Sequence, residues 1–295
     1  MPKRFGWLAI VCVVALLGIG CKKEQDVIVI ASKPVTEQFI LAEMLTYLVE
    51  AHTDLSVRQT LGIGGGTSNI HPALLKGDID MYPEYTGTGW LFVLKQAPIH
   101  DAQSLYQKVK QAYQEQLDLT WSGLYGFNNT YRIAVSRQAA ERYQLKTTSD
   151  LVRVSDQLVF AANPDFLERD DGYPGLVKAY GLSFKAVKEI DIGLRYEAIT
   201  SGDVDVITVF STDARLKTEP VVVLDDDLSY FTNYHAATVI RSETLRNHTE
   251  LKAVLEMLTA RISDEDMIGM NYQVEIEKQD PKAVAKEFLT KKGLL

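Results

Sequence analysis

The sequence is poor in cysteine. Of its 295 residues only Cys12 and Cys21 are cysteines. If the chain is cleaved immediately before Cys21, the mature protein keeps a single thiol and cannot form an internal disulfide. A small fold held together by disulfides and a zinc site built on cysteine pairs are therefore both excluded for the mature chain.

Long apolar runs are also missing after the first twenty residues. The one such run, Trp7 to Ile19, follows a short positive start and leads through a small residue, Gly20, to Cys21. It is shorter than the roughly 20 residues that cross a bilayer, and the layout is typical of a secretory signal. We therefore expect residues 1–20 to be a signal peptide and the later chain to contain no membrane span.

Cys21, at the end of this signal, resembles the cysteine of the bacterial lipobox, which carries a diacylglyceryl group. The pattern departs at Gly18, since leucine is usual three residues before the cysteine. The resemblance implies lipidation of Cys21, a linker over residues 21–26, and an extracytoplasmic lipoprotein anchored at the cell surface or periplasmic face of the membrane. A plain cleaved signal and an uncleaved anchor are the alternatives.

Basic clusters are absent, and the chain as a whole is acidic, with a formal net charge of −8. Such a surface argues against nucleic acid as a partner. The mature length of about 270 residues is too great for one small core and predicts two domains.

Motifs of enzymes and metal sites are missing from the mature sequence. It has no glycine-flanked serine elbow, no HExxH and no cysteine pair, and its five histidines are scattered. The glycine-rich turn at 62–66 lacks the residues that complete a nucleotide motif, so we interpret it as a connection between a strand and a helix. We expect no catalytic residue, no metal and no cofactor.

What the sequence does contain is an alternation of strand and helix patterns, which predicts an α/β protein. Residues 73–85, ALLKGDIDMYPEY, and 198–210, AITSGDVDVITVF, share one pattern: the end of a helix, a Gly-Asp stop and a short apolar strand. Chance similarity is one explanation, and two lobes built alike is the other. In the second case Tyr85 and Phe210 occupy equivalent positions at the carboxyl ends of strands, where open α/β sheets bind ligands.

Several short motifs together resemble the glycine betaine/carnitine/choline-binding proteins of osmoprotectant ABC importers. In chain order they are SKPVTEQ at 32–38, YPEYTGT at 82–88, NNTY at 128–131, FLER at 166–169, DGYPGL at 171–176, STD at 211–213 and NYQV at 271–274. They cover essentially the whole mature chain in the family's order. The resemblance implies a type II periplasmic-binding-protein fold, two α/β lobes with a ligand cleft between them, with lobe 1 from residues 27–130 plus 231–295 and lobe 2 from 131–230.

The resemblance also implies an aromatic cage for a quaternary ammonium group. Aromatic faces attract such a cation and tolerate its methyl groups, each contact contributing about 0.5 to 2 kcal/mol when desolvated. The cage positions fall on Tyr85, Tyr131, Phe210 and Tyr234, and Asn129 occupies a position that faces the cation in relatives. At position 210 the family frequently has tyrosine. Phe210 preserves the ring face but lacks the hydroxyl.

For the carboxylate end of a betaine, the resemblance implies Lys33, Thr88 and Arg169, with Asp165 orienting Arg169. Arg169 offers a planar, two-pronged donor. Taken alone, it is better explained as one half of a surface ion pair with Asp165, Asp170 or Asp171. Retention of this basic set favours a zwitterion over choline. Gln38, Ser68 and Asn69 are further polar candidates at the helix starts facing the cleft, and Tyr196 is a fifth candidate for the cage.

These observations predict a non-enzymatic, monomeric solute-binding protein that captures a quaternary-ammonium osmolyte and delivers it to an ABC permease. A binder of the same fold for a larger betaine, such as trimethylated histidine, or for an unmethylated amino acid is the nearer alternative. A two-lobed enzyme related to porphobilinogen deaminase is the more distant one, and would need a nucleophile or a cofactor-attachment cysteine in the cleft.

Overall fold

The computed structural model describes residues 26–295. The predicted signal peptide 1–20, Cys21 and residues 22–25 of the predicted linker lie outside the described residues. Within residues 26–295, no helix is both long enough and apolar enough to cross a membrane.

The strands of the described region form two sheets of five. In chain order they are β1 (Val27–Ala31), β2 (Ser56–Thr60), β3 (Met81–Tyr85), β4 (Leu119–Trp121), β5 (Tyr131–Ser136), β6 (Val159–Ala162), β7 (Ala186–Glu189), β8 (Val206–Phe210), β9 (Val221–Val223) and β10 (Ala236–Arg241).

The two sheets have the same internal arrangement. The first has the order β2-β1-β3-β10-β4 and the second β7-β6-β8-β5-β9. In each, a central strand pairs in parallel with two neighbours. The fourth strand in each order, β10 in the first sheet and β5 in the second, is antiparallel to both strands beside it. We call the part built on the first sheet lobe 1 and the part built on the second lobe 2.

Helices cover both sheets. They are α1 (Thr36–His52), α2 (Thr67–Lys76), α3 (Ala102–Leu117), α4 (Arg137–Tyr143), α5 (Pro164–Glu168), α6 (Tyr173–Tyr180), α7 (Arg195–Ser201), α8 (Ser242–Asn247), α9 (Leu251–Glu256), α10 (Asp264–Glu275) and α11 (Pro281–Lys291). A π-helical turn spans Thr88–Val93, and 3₁₀ turns lie at Thr148–Arg153, Ser155–Gln157 and Ala214–Lys217.

Helix α1 lies in the core of lobe 1. Its apolar residues recur every three or four positions, and Ile40, Met44, Leu45 and Leu48 are fully buried. It packs against α9, α10 and α11 as well as β2. The first turn of α1 is therefore held rigidly at the carboxyl end of β1, beside the space between the lobes.

The repeated helix–strand units found in the sequence are confirmed as equivalent parts of the two lobes. Gly77 ends α2 and Gly202 ends α7, both in the left-handed conformation with φ of 82°. Only glycine adopts this conformation without a steric cost, which is why a Gly-Asp stop recurs. The strands that follow, β3 and β8, place Tyr85 and Phe210 at their carboxyl ends.

The chain crosses between the sheets twice, after β4 and again after β9. The two crossing segments lie side by side, because Asn128 and His235 form an antiparallel bridge. The amide of Asn129 donates to the Tyr234 carbonyl at 3.1 Å. Lobe 1 therefore takes early and late segments with lobe 2 between them, while the lobe boundaries at 130/131 and 230/231 stay predictions.

Candidate ligand-binding site

A cavity of about 390 Å³ lies between the lobes. Residues that follow the parallel strands of both sheets line it: Lys33 after β1, Tyr85 at the end of β3 and Phe210 at the end of β8. The crossing segments contribute Asn129 and Tyr234. The carboxyl edges of both sheets thus meet at one cavity, in the position where open α/β sheets bind ligands.

The aromatic residues expected to form a cage all line this cavity: Tyr85, Tyr131, Phe210 and Tyr234. The ring centroid of Tyr131 lies 4.9 Å from that of Phe210 and 5.4 Å from that of Tyr234, the latter edge-on. Tyr85 reaches the cavity from lobe 1 and Phe210 from lobe 2. Residues separated by more than a hundred positions in the sequence are therefore brought together around one space.

The position of Tyr234 depends on Gly87. A Cβ at residue 87 would lie 2.7 Å from the Tyr234 ring, closer than real Cβ contacts, so any larger residue would displace the ring. The Tyr234 hydroxyl donates to Asp171 Oδ2 at 2.9 Å. Tyr234 is consequently held between the loop after β3 in lobe 1 and an aspartate of lobe 2.

Glu37, in the first turn of α1, is a buried carboxylate that the sequence analysis did not select. Its Oε1 accepts hydrogen bonds from the Tyr85 hydroxyl at 2.6 Å and from Asn129 Nδ2 at 2.8 Å. Its Oε2 accepts from Thr212 Oγ1 at 2.8 Å and Asn271 Nδ2 at 3.5 Å. Burial raises the pKa of Glu37, and these four hydrogen bonds oppose the rise. One carboxylate thus joins a cage tyrosine, a crossing segment and both lobes.

Arg169 is buried in the cavity wall, with only 2% of its surface exposed. Its Nε donates to Asp171 Oδ1 at 2.9 Å, and its Nη2 donates to Asp171 Oδ2. Its Nη1 donates to Thr88 Oγ1 at 3.4 Å and lies 3.7 Å from Asp165 Oδ2. Arg169 does form an ion pair, but the pair is buried, so the alternative of an ion pair on the surface does not hold. Asp171, which sequence reasoning named only as one possible partner, takes the two-pronged contact.

Lys33 is the second predicted cation, and it too has a protein partner. Its Nζ donates to Glu84 Oε1 at 2.5 Å. Glu84 is completely buried and also accepts from Thr67 and Tyr82, each at 3.1 Å. An ammonium group and a carboxylate at this distance attract each other strongly when both are shielded from water. Much of the positive charge of Lys33 is therefore already balanced at the edge of the cavity.

Arg195, at the start of α7, is a third cation lining the cavity and was missed as a candidate. It is 7% exposed, and its Nη2 donates to Asp213 Oδ2 at 2.5 Å. Its buried Nε has no hydrogen-bond partner among the described residues. The guanidinium also lies over the Phe210 ring, 5.0 Å from the centroid. The lobe repeat offered a signal, since the loops after β2 and β7 are equivalent and both line the cavity.

Four further predicted residues do not line this cavity. Ser68 and Asn69 are exposed on α2, because Thr67 and Ile70 occupy the buried face of that helix. Gln38 is fully buried, and its Oε1 accepts from the Lys33 amide at 3.4 Å. Tyr196 is buried beneath the cavity wall, where its hydroxyl donates to Asp213 at 2.9 Å. A part for these four side chains in ligand binding stays a prediction.

Tyr196 instead lines a second cavity, of about 570 Å³, which adjoins the first. The residues common to both cavities are Thr36, Ile192, Gly193, Arg195 and Glu275. We call the first cavity the inner cavity and this second one the outer cavity. The outer cavity has a charged lining that includes Arg215, Glu197 and Lys278. Because Arg195 belongs to both, a ligand longer than the inner cavity could extend past it toward the outer one.

Comparison with known families decides the identity of the fold. Residues 26–291 match the family described as the substrate binding domain of the ABC-type glycine betaine transport system. The chain belongs to this family. Its predicted α/β class and two-lobed architecture are confirmed by the two sheets and by this match.

Individual members of this substrate-binding family are similar over most of the chain. The carnitine transport binding protein OpuCC of Listeria monocytogenes is 35% identical over 94% of this chain and 90% of its own. The ergothioneine transport permease/ergothioneine binding protein EgtU of Helicobacter pylori strain G27 is 44% identical over 92% of this chain. That match covers 48% of EgtU, so the chain spans about half the length of this relative.

Solved structures agree with the sequence matches. The crystal structure of a glycine betaine/carnitine/choline ABC transporter protein superposes with a TM-score of 0.71 at 34% identity, covering 90% of this chain and 99% of that one. Lactococcal OpuAC, in its closed conformation with glycine betaine, superposes with a TM-score of 0.63 at 13% identity, covering 90% and 96%. The second likeness concerns the fold alone.

Proposed function

We propose that this chain captures a betaine-type zwitterion, with a quaternary ammonium group at one end and a carboxylate at the other, for an ABC importer. The observation that carries the proposal is the convergence of Tyr85, Tyr131, Phe210 and Tyr234 on one cavity that also contains buried guanidinium groups. Membership of the substrate-binding family supports the transport role.

The rings suit the cationic end. A trimethylammonium group has no N–H to donate, so its recognition depends on ring faces and on oxygen atoms around it. Tyr131 lies at the centre of the ring cluster and is 7% exposed. Burial raises the pKa of Tyr131, so its phenol stays neutral and no hydroxyl charge competes with the ring face.

The guanidinium groups suit the carboxylate. We assign the main contact to Arg195, because its Nε–H is buried without a partner, whereas most donors of Arg169 already bond Asp171 and Thr88. A buried donor left unpaired costs about 1 to 3 kcal/mol, and a ligand carboxylate would remove that cost. Arg169 and Lys33 then contribute charge at longer range.

Binding would close the lobes. Tyr85, Thr88 and Lys33 come from lobe 1, while Phe210 and Arg195 come from lobe 2, so one ligand bridges both. A ligand that contacts both lobes stabilises the closed form relative to the open one. We propose that the closed, monomeric protein is the form presented to a permease, and that lipidated Cys21 holds it at the extracytoplasmic membrane face.

A larger betaine is the second candidate. Ligand pockets span about 300 to 1,000 Å³, and a cavity of 390 Å³ that adjoins one of 570 Å³ has room beyond the smallest osmolyte. The similarity to an ergothioneine binding protein supports the same reading. A trimethylated histidine derivative would place its methyl groups among the rings and its heterocycle toward Arg195 and Glu275.

Calorimetric titration of the purified protein tests the proposal directly. The ligand panel is glycine betaine, carnitine, choline, ergothioneine and histidine. Saturable binding of at least one trimethylated zwitterion, tighter than choline and histidine, is expected. Binding of histidine but of no trimethylated compound would support an amino-acid binder and contradict the cage, while binding of choline alone would contradict the carboxylate contact.

A further inference from the structure

In two asparagines of the cavity wall, the side-chain NH₂ group is hydrogen-bonded but the side-chain carbonyl oxygen is not. Asn129 and Asn271 are 8% and 4% exposed, and both line the inner cavity. The NH₂ group of each donates to Glu37, and that of Asn271 also donates to the Thr212 carbonyl at 3.0 Å. The side-chain carbonyl oxygen of each is buried and has no hydrogen-bond partner among residues 26–295.

The orientation of these two amides follows from the chemistry of Glu37. An ionised carboxylate only accepts hydrogen bonds, whereas an asparagine amide has a donating side and an accepting side. The side of each amide that faces Glu37 must therefore be NH₂. Each carbonyl oxygen is then the one polar atom of its side chain left for a ligand.

We propose that Glu37 is a positioning residue that makes the cavity selective for a positively charged ligand group. It does so by holding Asn129 and Asn271 with their carbonyl oxygens available to that group. The proposal rests on the function proposed above, because it takes the ligand group between the rings to be a cation. It adds a source of charge preference that the rings alone do not provide.

The physical reason is electrostatic. The positive charge of a trimethylammonium group is spread over its methyl hydrogens, which attract carbonyl oxygens, while the methyl groups of an uncharged tert-butyl group do not. A buried acceptor without a partner costs about 1 to 3 kcal/mol. Two such acceptors therefore favour a cation over an isosteric neutral group at the same place.

The arrangement needs both lobes. Glu37 belongs to α1 and Asn271 to α10 of lobe 1, whereas Thr212 follows β8 of lobe 2. The Thr212 hydroxyl bonds Glu37 and the Thr212 carbonyl accepts from Asn271. Separation of the lobes would break both contacts, so the closed form holds Glu37 and Asn271 more firmly than the open form does.

The test compares a cation with its uncharged isostere. Glycine betaine and 3,3-dimethylbutyrate differ only in having N⁺ or carbon at the branch point. The selectivity ratio, the dissociation constant of 3,3-dimethylbutyrate divided by that of glycine betaine, is measured by calorimetry and is expected to fall at least tenfold in Glu37→Gln. Glu43→Gln is the matched control, since Glu43 is a buried glutamate of the same helix outside the cavity lining, and its ratio should equal that of the unsubstituted protein.

A rescue separates positioning from a general structural role. In Glu37→Gln/Asn129→Asp, residue 129 presents an oxygen in either orientation, and betaine affinity should recover at least fivefold over the single variant. Asn271→Leu, which leaves Glu37 in place, should also lower the ratio, and it carries the test if Glu37→Gln does not fold. An unchanged ratio in Glu37→Gln, or an equal loss for both probes without rescue, would overturn the proposal.

Failure of the proposed function gives a different result. In that case the unsubstituted protein binds neither glycine betaine nor any other trimethylated compound of the panel, and this inference falls with it. If the unsubstituted protein binds betaine and Glu37→Gln preserves the selectivity, the function stands and only the role of Glu37 is refuted.

Discussion

Replacement of Phe210 by leucine isolates the contribution of one ring face to cation binding. Leucine preserves much of the apolar volume but has no quadrupole. Phe210 is half-buried at the end of β8, where it contacts Tyr131 and the Arg195 guanidinium. A desolvated cation–ring contact is worth about 0.5 to 2 kcal/mol, which corresponds to a loss of affinity of about 2- to 30-fold, since about 1.4 kcal/mol is a factor of ten.

Calorimetric titration with glycine betaine and the larger betaines measures this loss. Phe210→Tyr is the first control, since it preserves the ring and should bind with nearly the affinity of the original protein. Phe166→Leu is the second, because Phe166 is fully buried, packs 5.0 Å from the Tyr131 ring and does not line the cavity. It should lower thermal stability more than Phe210→Leu while leaving affinity nearly unchanged. Unaltered betaine affinity in Phe210→Leu would refute the cage.

Three further outcomes follow from buried charges. In calorimetry, Arg195→Gln should weaken the binding of glycine betaine at least tenfold but that of choline much less, whereas Arg215→Gln, in the outer cavity only, should change neither affinity. Equal losses for glycine betaine and choline would contradict the carboxylate contact. Lys33→Met should lower the free energy of unfolding in denaturant titrations by about 3 to 5 kcal/mol, because it leaves the Glu84 charge buried and unpaired; adding Glu84→Gln should restore most of the loss, and no restoration would exclude this cause. Burial raises the pKa of Glu37 above its usual 4.5, so the folded protein binds this proton more tightly than the unfolded chain does. The resulting contribution to the free energy of unfolding is fully present below pH 4.5 and is lost as pH rises through the folded-state pKa. The free energy of unfolding of the original protein minus that of Glu37→Gln, measured against pH, should therefore decrease as pH rises. An increase would reverse the sign of the argument.

The family motifs identified the ring positions but not how their neighbours are paired. Tyr85 and Tyr131 stand in short motifs and Phe210 directly precedes one, whereas Tyr234 was placed by the overall resemblance alone. All four line the cavity. Ser68 and Asn69 were chosen because a helix was expected to start beside the cleft. The helix does start there, but its buried face passes through other residues.

Ion-pair partners were beyond the reach of sequence reasoning for a different reason. Arg169 has aspartates at several nearby positions, and spacing alone does not distinguish Asp165 from Asp171. The structure decides for Asp171, because the chain turns after α5 and brings that carboxylate against two nitrogens of the guanidinium. Glu37 is 48 residues from Tyr85 and 175 from Thr212 in sequence, so no local pattern indicated that it joins them.

The amino-acid sequence by itself determined the class of fold, the repeat of one unit in two lobes, and the residue types suited to a methylated cation. These follow from local periodicity, glycine stops and short motifs, all of which are properties of neighbouring residues. Only the tertiary structure decided which charges neutralise each other and which remain available to a ligand. That outcome depends on burial and on distances across the lobe interface, and residues far apart in the chain acquire both only when the two sheets come together.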